Sequence, residues 1–162
     1  MDIVLFYVLF FGIVLLILYL RNKNRDKNYA LSADVLAGLD AIHLDHVKCE
    51  TFSSGMKGKG YYFSRCELFI TEDALVIFGL GRIKWLRQLS DPLILTSNSA
   101  GYVFKLPGAK LIKPKTINLN SFGGDIYIEF VQPGFIGTNV EFRLKGISTA
   151  HKERLQFLNT SS

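Results

Sequence analysis

The chain reads as mainly β with a C-terminal α-helix: a small antiparallel barrel or half-open sandwich behind one N-terminal transmembrane helix. Three observations lead there. Residues 3 to 20 run without a single charge. From residue 46 onward apolar positions recur with a period of two, in short runs separated by Gly, Pro, Asn and Asp. The last apolar run, Ser148 to Leu158, returns to helical spacing.

Ile3 to Leu20, IVLFYVLFFGIVLLILYL, spans roughly 27 Å as a helix, close to the hydrocarbon thickness of a bilayer. It is apolar all round, unlike a surface helix, and Tyr7 and Tyr19 sit near its ends, where amphipathic rings suit the interfaces. A cleavable signal peptide wants cations before the run and an A-x-A-like site after it. Here Met1 and Asp2 precede it and Leu18-Tyr19-Leu20-Arg21 follows, so a signal anchor spanning 1–20 is expected. Arg21, Lys23, Arg25 and Lys27 follow, with only Asp26 against them. The positive-inside bias then gives a single-pass protein of the plasma (inner) membrane, N-terminus outside and C-terminal domain cytoplasmic.

Beyond the anchor stand about 140 residues, enough for one domain with its own core. They hold all 19 Lys and Arg against 13 of the Asp and Glu, a net charge of +6. A basic body on a basic neck is drawn to an anionic leaflet by about 1 kcal/mol for each cation near the surface. No nucleic acid is expected as a partner, because the cations are dispersed and the aromatics fall inside strand-like runs. Cys49 and Cys66 are the two cysteines and are expected to be free and partly buried in a reducing compartment.

Residues 21–45 form a basic linker. RNKNRDKNYA has no hydrophobic period and reads as a solvated spacer. A short helix follows within Ser32 to Ile42, capped by Ser32 or Asp34, with Leu36, Leu39 and Ile42 on one side and Gly38 weakening it. The β domain, with its terminal helix, occupies 46–162. Strands are expected over 46–52 and 61–71, around Ser53–Gly60, and a tight turn at Glu72-Asp73 leads into 75–78. Folding back there sets Ile70 against Val76 and Leu68 against Phe78. Shorter strands are expected at 93–96, 102–106 and 115–119. The last hairpin is the clearest: Ile126, Ile128 and Phe130 alternate on one strand, Val140, Phe142 and Leu144 on the next. Folding about Phe135 opposes Phe130 to Val140, Ile128 to Phe142 and Ile126 to Leu144, and also Glu129 to Glu141, a like-charge pair. In the closing helix Ser148 or Thr149 is the cap, and Ile147, His151, Leu155 and Leu158 make an apolar stripe over the open end of the barrel.

Cys66-Glu-Leu-Phe-Ile-Thr-Glu-Asp-Ala-Leu-Val-Ile-Phe78, the Thr116–Leu119 strand, the final hairpin and the terminal helix together resemble the pleckstrin-homology-like superfold, in particular its GRAM-like and bacterial members. The resemblance covers residues 46 to 160 and rests on pattern. It implies a PH-like barrel whose first hairpin carries basic residues for a phosphorylated headgroup; the matching positions are Lys48, Lys57, Lys59 and Arg65. Lys59 stands where that motif has arginine, so the bidentate phosphate fork is missing.

Other chemistry is poorly supported. His43, Asp45 and His46 offer three metal ligands in four residues, but His151 is the only other histidine and neither cysteine has a C-x-x-C partner, so no metal is expected. Gly55–Gly60 lacks the G-K-[ST] ending of a phosphate-cradling loop and sits between strands. No nucleophile elbow or spaced carboxylate pair appears, and neither enzymatic activity nor a cofactor is expected. Pro133-Gly-Phe-Ile-Gly137 sets Phe135 and Ile136 at a hairpin tip, where they fold back on the barrel or meet a partner or the bilayer interface. Trp85, between Arg82, Lys84 and Arg87, is either a lid on the core or an interfacial anchor.

The function expected is a membrane-tethered, non-enzymatic binding or adaptor module. Its contacts with a protein partner or anionic lipid headgroups are assigned to Lys57, Lys59, Arg82, Lys84, Trp85, Phe135 and Ile136. A structural subunit of a larger membrane complex is the alternative.

Overall fold

The computed structural model describes residues 3–54, 63–81, 89–96, 106–131 and 138–161. It begins with one helix, α1 (Ile3–Ala37). Its first half is long and apolar enough to cross a membrane, and none of that apolar stretch is buried in the protein. The linker is helical as far as Ala37: α1 continues unbroken through Arg21–Lys27 and takes in the first part of the segment expected as a separate short helix, whose remainder is a turn and the start of β1. Helical hydrogen bonding propagates once nucleated, at one bond per residue added, so a polar stretch with no Pro or Gly is carried along. The helix stops before Gly38. Ala41 N–H reaches back to Leu36 O, and Asp40 takes the left-handed conformation, φ 55°, that turns the chain into the first strand.

The strands are β1 (Ile42–Ser54), β2 (Phe63–Ile70), β3 (Ala74–Gly81), β4 (Leu93–Thr96), β5 (Lys110–Leu111), β6 (Pro114–Asn118), β7 (Ile126–Val131) and β8 (Asn139–Lys145). They form one curled half-barrel sheet in the order β5-β4-β3-β2-β1-β8-β7-β6. All pairs are antiparallel except β4–β5, where Leu93 faces Lys110 in parallel. β1 begins at Ile42, four residues before the expected 46. The strand expected at 102–106 lies outside the described residues except for Leu106, which is a buried bend residue.

The β7–β8 register is the expected one: Phe130 faces Val140, Ile128 faces Phe142, Ile126 faces Leu144. Glu129 does oppose Glu141, and neighbours temper the repulsion. Lys115 Nζ lies 2.9 Å from Glu129 Oε1, and Tyr127 shares a hydrogen bond with Glu141; burial first, then the two carboxylates, raise that phenol above its usual range.

The β2–β3 register is one residue from the expected one. Ile70 faces Leu75 and Leu68 faces Ile77, not Val76 and Phe78. The turn decides it: Thr71 N–H donates to Ala74 O at 2.9 Å, and Ala74 N–H donates to Thr71 Oγ1 at 3.0 Å, leaving only Glu72 and Asp73 between. Alternation could not decide, because β3 is buried from Ala74 to Leu80 and a slip exposes nothing polar or apolar on either side.

Two cores explain that double burial. Inside the curl, Leu68, Ile70, Leu75, Ile77, Leu93, Leu95, Ile126, Ile128, Phe130, Val140, Phe142 and Leu144 pack together, closed by Ile147, Leu155 and Leu158. On the outer face of β2–β4, Phe69, Ala74, Val76, Phe78, Leu80 and Ile94 pack against Leu36 of α1, with Tyr29, Ala33 and Val35 alongside. Tyr29, Ala33 and Leu36 recur at i, i+4 and i+7, one face of the helix.

The terminal helix is shorter than expected: α2 (Thr149–Glu153), then a 3-10 helix, Gln156–Ser161. Ser148 is its cap, its Oγ accepting from His151 N–H at 3.3 Å. His151 stays half-exposed while Ile147, Leu155 and Leu158 are buried. Lys152 is buried and donates to Asn120 Oδ1 at 3.2 Å and to Gly124 O. Cys49 and Cys66 are free and buried in the inner core; the neighbouring Cys49 thiol and burial push the Cys66 thiol well up.

Candidate functional site

The strands end in two sets, and the two ends of the sheet carry different chemistry. At one end Ser54 pairs with Asn139, Phe63 with Gly81, and Val131 with Asn139. The β1–β2, β3–β4 and β7–β8 connections are all rooted there. Those three connections contain every residue assigned to binding from the sequence: Lys57 and Lys59; Arg82, Lys84 and Trp85; Phe135 and Ile136. All seven lie outside the described residues, but the strand ends that carry them are hydrogen-bonded neighbours. Phe52 and Val131, both about half exposed, stand on the outer face near this end, with Arg143 5.9 Å above the Phe52 ring. Lys48 and Arg65, the other two basic positions of the first hairpin, face each other across β1 and β2 and are exposed.

The helix runs back toward this end. Tyr29 sits edge-on to Phe78, ring centroids 5.1 Å apart, and Asn28 and Asp91 flank Gly108, near where β4 begins. The far end of α1, after Leu36, turns at Gly38–Ala41 into Ile42, which pairs with Ile70 at the opposite end of the sheet. Going from Leu36 back through Tyr29 to Leu20 therefore leads toward the three loops. At 1.5 Å per residue Tyr29 lies roughly 14 Å and Leu36 roughly 24 Å beyond Leu20 along the axis.

The opposite end holds a cleft. β1 pairs with β8 only from Lys48 onward, so Ile42–Val47 project past it with one free edge. Beside that edge lies an open cleft of about 390 Å³, lined by His43, Asp45, His46, Lys48, Lys145 and His151 among others. All three histidines of the chain meet there. Lys145 is held by Glu50, Nζ to Oε1 2.7 Å, and that hydrogen bond lowers the Glu50 carboxyl below its usual range.

A β-bulge shapes this cleft. Leu44 faces Leu68 and Val47 faces Cys66, so Asp45 and His46 together oppose the single residue Glu67. His46 takes φ 53°, a left-handed conformation that costs a non-glycine residue free energy and collects at functional sites. Glu67, on the outer face of β2, is 1 % exposed. It accepts a hydrogen bond from Tyr29 of α1, and His43 Nε2 lies 3.5 Å from its Oε2. The His43 ring stacks on Phe69, 4.3 Å away and 8° from parallel, and His46 Nδ1 lies 3.3 Å from Asp45 Oδ1. Sequence spacing brought His43, Asp45 and His46 to notice but not Glu67, twenty-two residues from Asp45; only the β1–β2 register joins them. The signal present in the sequence was a lone glutamate inside the apolar run Cys66–Ile70.

Compared with models of protein families, with curated proteins and with solved structures, the chain matches none.

Proposed function

We propose that this chain is a membrane-tethered, non-enzymatic binding module of the pleckstrin-homology-like kind. It is a single-pass protein of the plasma (inner) membrane with a cytoplasmic domain, and its loop-bearing end meets anionic lipid headgroups. The observation that supports this reading most is the shared root of three loops. The connections that contain Lys57, Lys59, Arg82, Lys84, Trp85, Phe135 and Ile136 are rooted at the one sheet end toward which α1 leads back to its apolar half. Cations that reach an anionic leaflet gain from its potential, and Trp, Phe and Ile gain from the interface. The helix fixes the domain's distance from the bilayer, so weak contacts are occupied at high effective concentration.

Trp85 is the single tryptophan and reports directly on this. In full-length protein reconstituted into vesicles rich in anionic lipid, its emission is expected to shift to the blue and to be quenched by brominated lipid. Lys57→Glu with Lys59→Glu, or high salt, relieves the quenching, because exposed charge contacts are screened. Emission identical in neutral and anionic vesicles, without quenching in either, contradicts lipid contact. A stoichiometric protein that co-purifies with the C-terminally tagged chain from native membranes, lost on Phe135→Asp, places a protein partner at this end and favours the subunit reading.

A further inference from the structure

On the outer face of the sheet, where the β1 bulge meets the middle of β2, we infer that His43, Asp45 and Glu67 form a binding site for a single divalent transition-metal ion of the zinc or manganese class. Nε2 or Nδ1 of His43 and one oxygen of each carboxylate all lie within 4.8 Å of one another. Bonds of about 2.1 Å set the ligand atoms of a tetrahedral site about 3.4 Å apart, so side-chain torsions at the two exposed ligands have to close the remainder. His43 and Asp45 are exposed enough to make them, with side chains 42 % and 57 % accessible. The third ligand is fixed: Glu67 is buried and bonded to Tyr29.

The backbone explains why three ligands converge. His43 and Asp45 are two residues apart on one strand and so share a face, and the bulge sets Asp45 opposite Glu67 on the neighbouring strand. Each ligand also has a neighbour that orients it. Phe69 holds the His43 ring plane, Tyr29 donates to Glu67, and His46 stands at Asp45. Partners of this kind are what metal ligands require to stay in place. One imidazole with two carboxylates is a nitrogen–oxygen set that suits Zn²⁺ or Mn²⁺ and not the soft ions that seek thiolates. Both cysteines are in the inner core, on the other side of the sheet from this group. Because Glu67 also bonds Tyr29, the ion would pin the β1 bulge to β2 and, through Glu67, to α1.

The test uses full-length protein in detergent, without a polyhistidine tag, stripped with a chelator and titrated calorimetrically with Zn²⁺ and with Mn²⁺. One equivalent is expected to bind with saturation, to resist millimolar Mg²⁺, and to weaken as the pH is lowered because protons compete for the ligands. Bound ion raises the unfolding temperature, since it binds only the folded arrangement. Asp45→Asn, at an exposed position, leaves the Trp85 emission and circular dichroism of the stripped protein unchanged but weakens binding about tenfold or more and removes the thermal shift. His43→Gln does the same. Absence of saturable binding by either ion overturns the inference. So does binding of unchanged strength in the doubly substituted Asp45→Asn, His43→Gln protein, which would place the ion elsewhere.

Discussion

Leu36→Ala is expected to lower the stability of the whole β domain by about 2–5 kcal/mol, the range for deleting a fully buried leucine side chain. Leu36 is 0 % exposed although it belongs to the same helix as the exposed apolar N-terminal stretch. It fills the outer core between Phe69, Val76, Phe78 and Ile94, and the lining can collapse little, because the strands below it are fixed by pairing on both sides. Unfolding in detergent by denaturant, followed by circular dichroism in the β region, measures the loss. Leu16→Ala is the control: Leu16 touches no part of the sheet and is exposed in the isolated protein, so the midpoint should move by less than about 0.5 kcal/mol. Equal, small effects at both positions would mean that the helix does not support the sheet.

Phe142→Ala is expected to cost about 3–5 kcal/mol. Its ring lies edge-on to Phe130 at 5.2 Å and tilted against Phe63 at 5.9 Å, joining β8 to β7 and to β2. Truncation therefore removes a buried ring and two aromatic contacts, each about 0.5–1.5 kcal/mol beyond area burial. The same denaturant titration measures it, and Glu141→Ala on the outward face of the same strand should be near neutral or slightly stabilising, because it relieves the facing pair with Glu129. A loss at Phe142 no larger than at Glu141 would contradict the inner core described above.

How much of this was legible in the residues depends on what each strand faces. β7 and β8 have one wet face and one dry face, so alternation alone marked Ile126, Ile128, Phe130, Val140, Phe142 and Leu144 as inward and set the register. β3 and the Cys66–Ile70 part of β2 are dry on both faces, and their register followed from the Thr71 turn, which apolar periodicity does not encode. The cause of the second dry face was itself hidden. Tyr29 lies in the segment whose charges read as a solvated spacer, and Ala33 and Leu36 lie in the short helix expected after it, whose apolar side was drawn through Leu36, Leu39 and Ile42 and so did not connect with Tyr29. The pairing of β4 with β5 in parallel was also illegible, since a two-residue strand carries no period. Of the candidate sites, the seven loop residues could be grouped once topology showed which connections leave the same end. The His43, Asp45 and Glu67 group required a bulge, and a bulge has no reliable signature in the residues that form it.

One continuous helix joins the apolar N-terminal stretch to the sheet, and in the proposed function it sets the height of the loop-bearing end. Hydrogen exchange across Arg21–Ala37, in full-length protein held in lipid nanodiscs, tests it most directly. Protection rising from Arg21 to a level at Tyr29–Leu36 comparable with β2 and β3 is the expected result, because those amides open only when the outer core opens. Rapid exchange throughout 21–37, with β2 and β3 still protected, would show a flexible tether and contradict both the docked helix and the fixed orientation on which the headgroup contact depends.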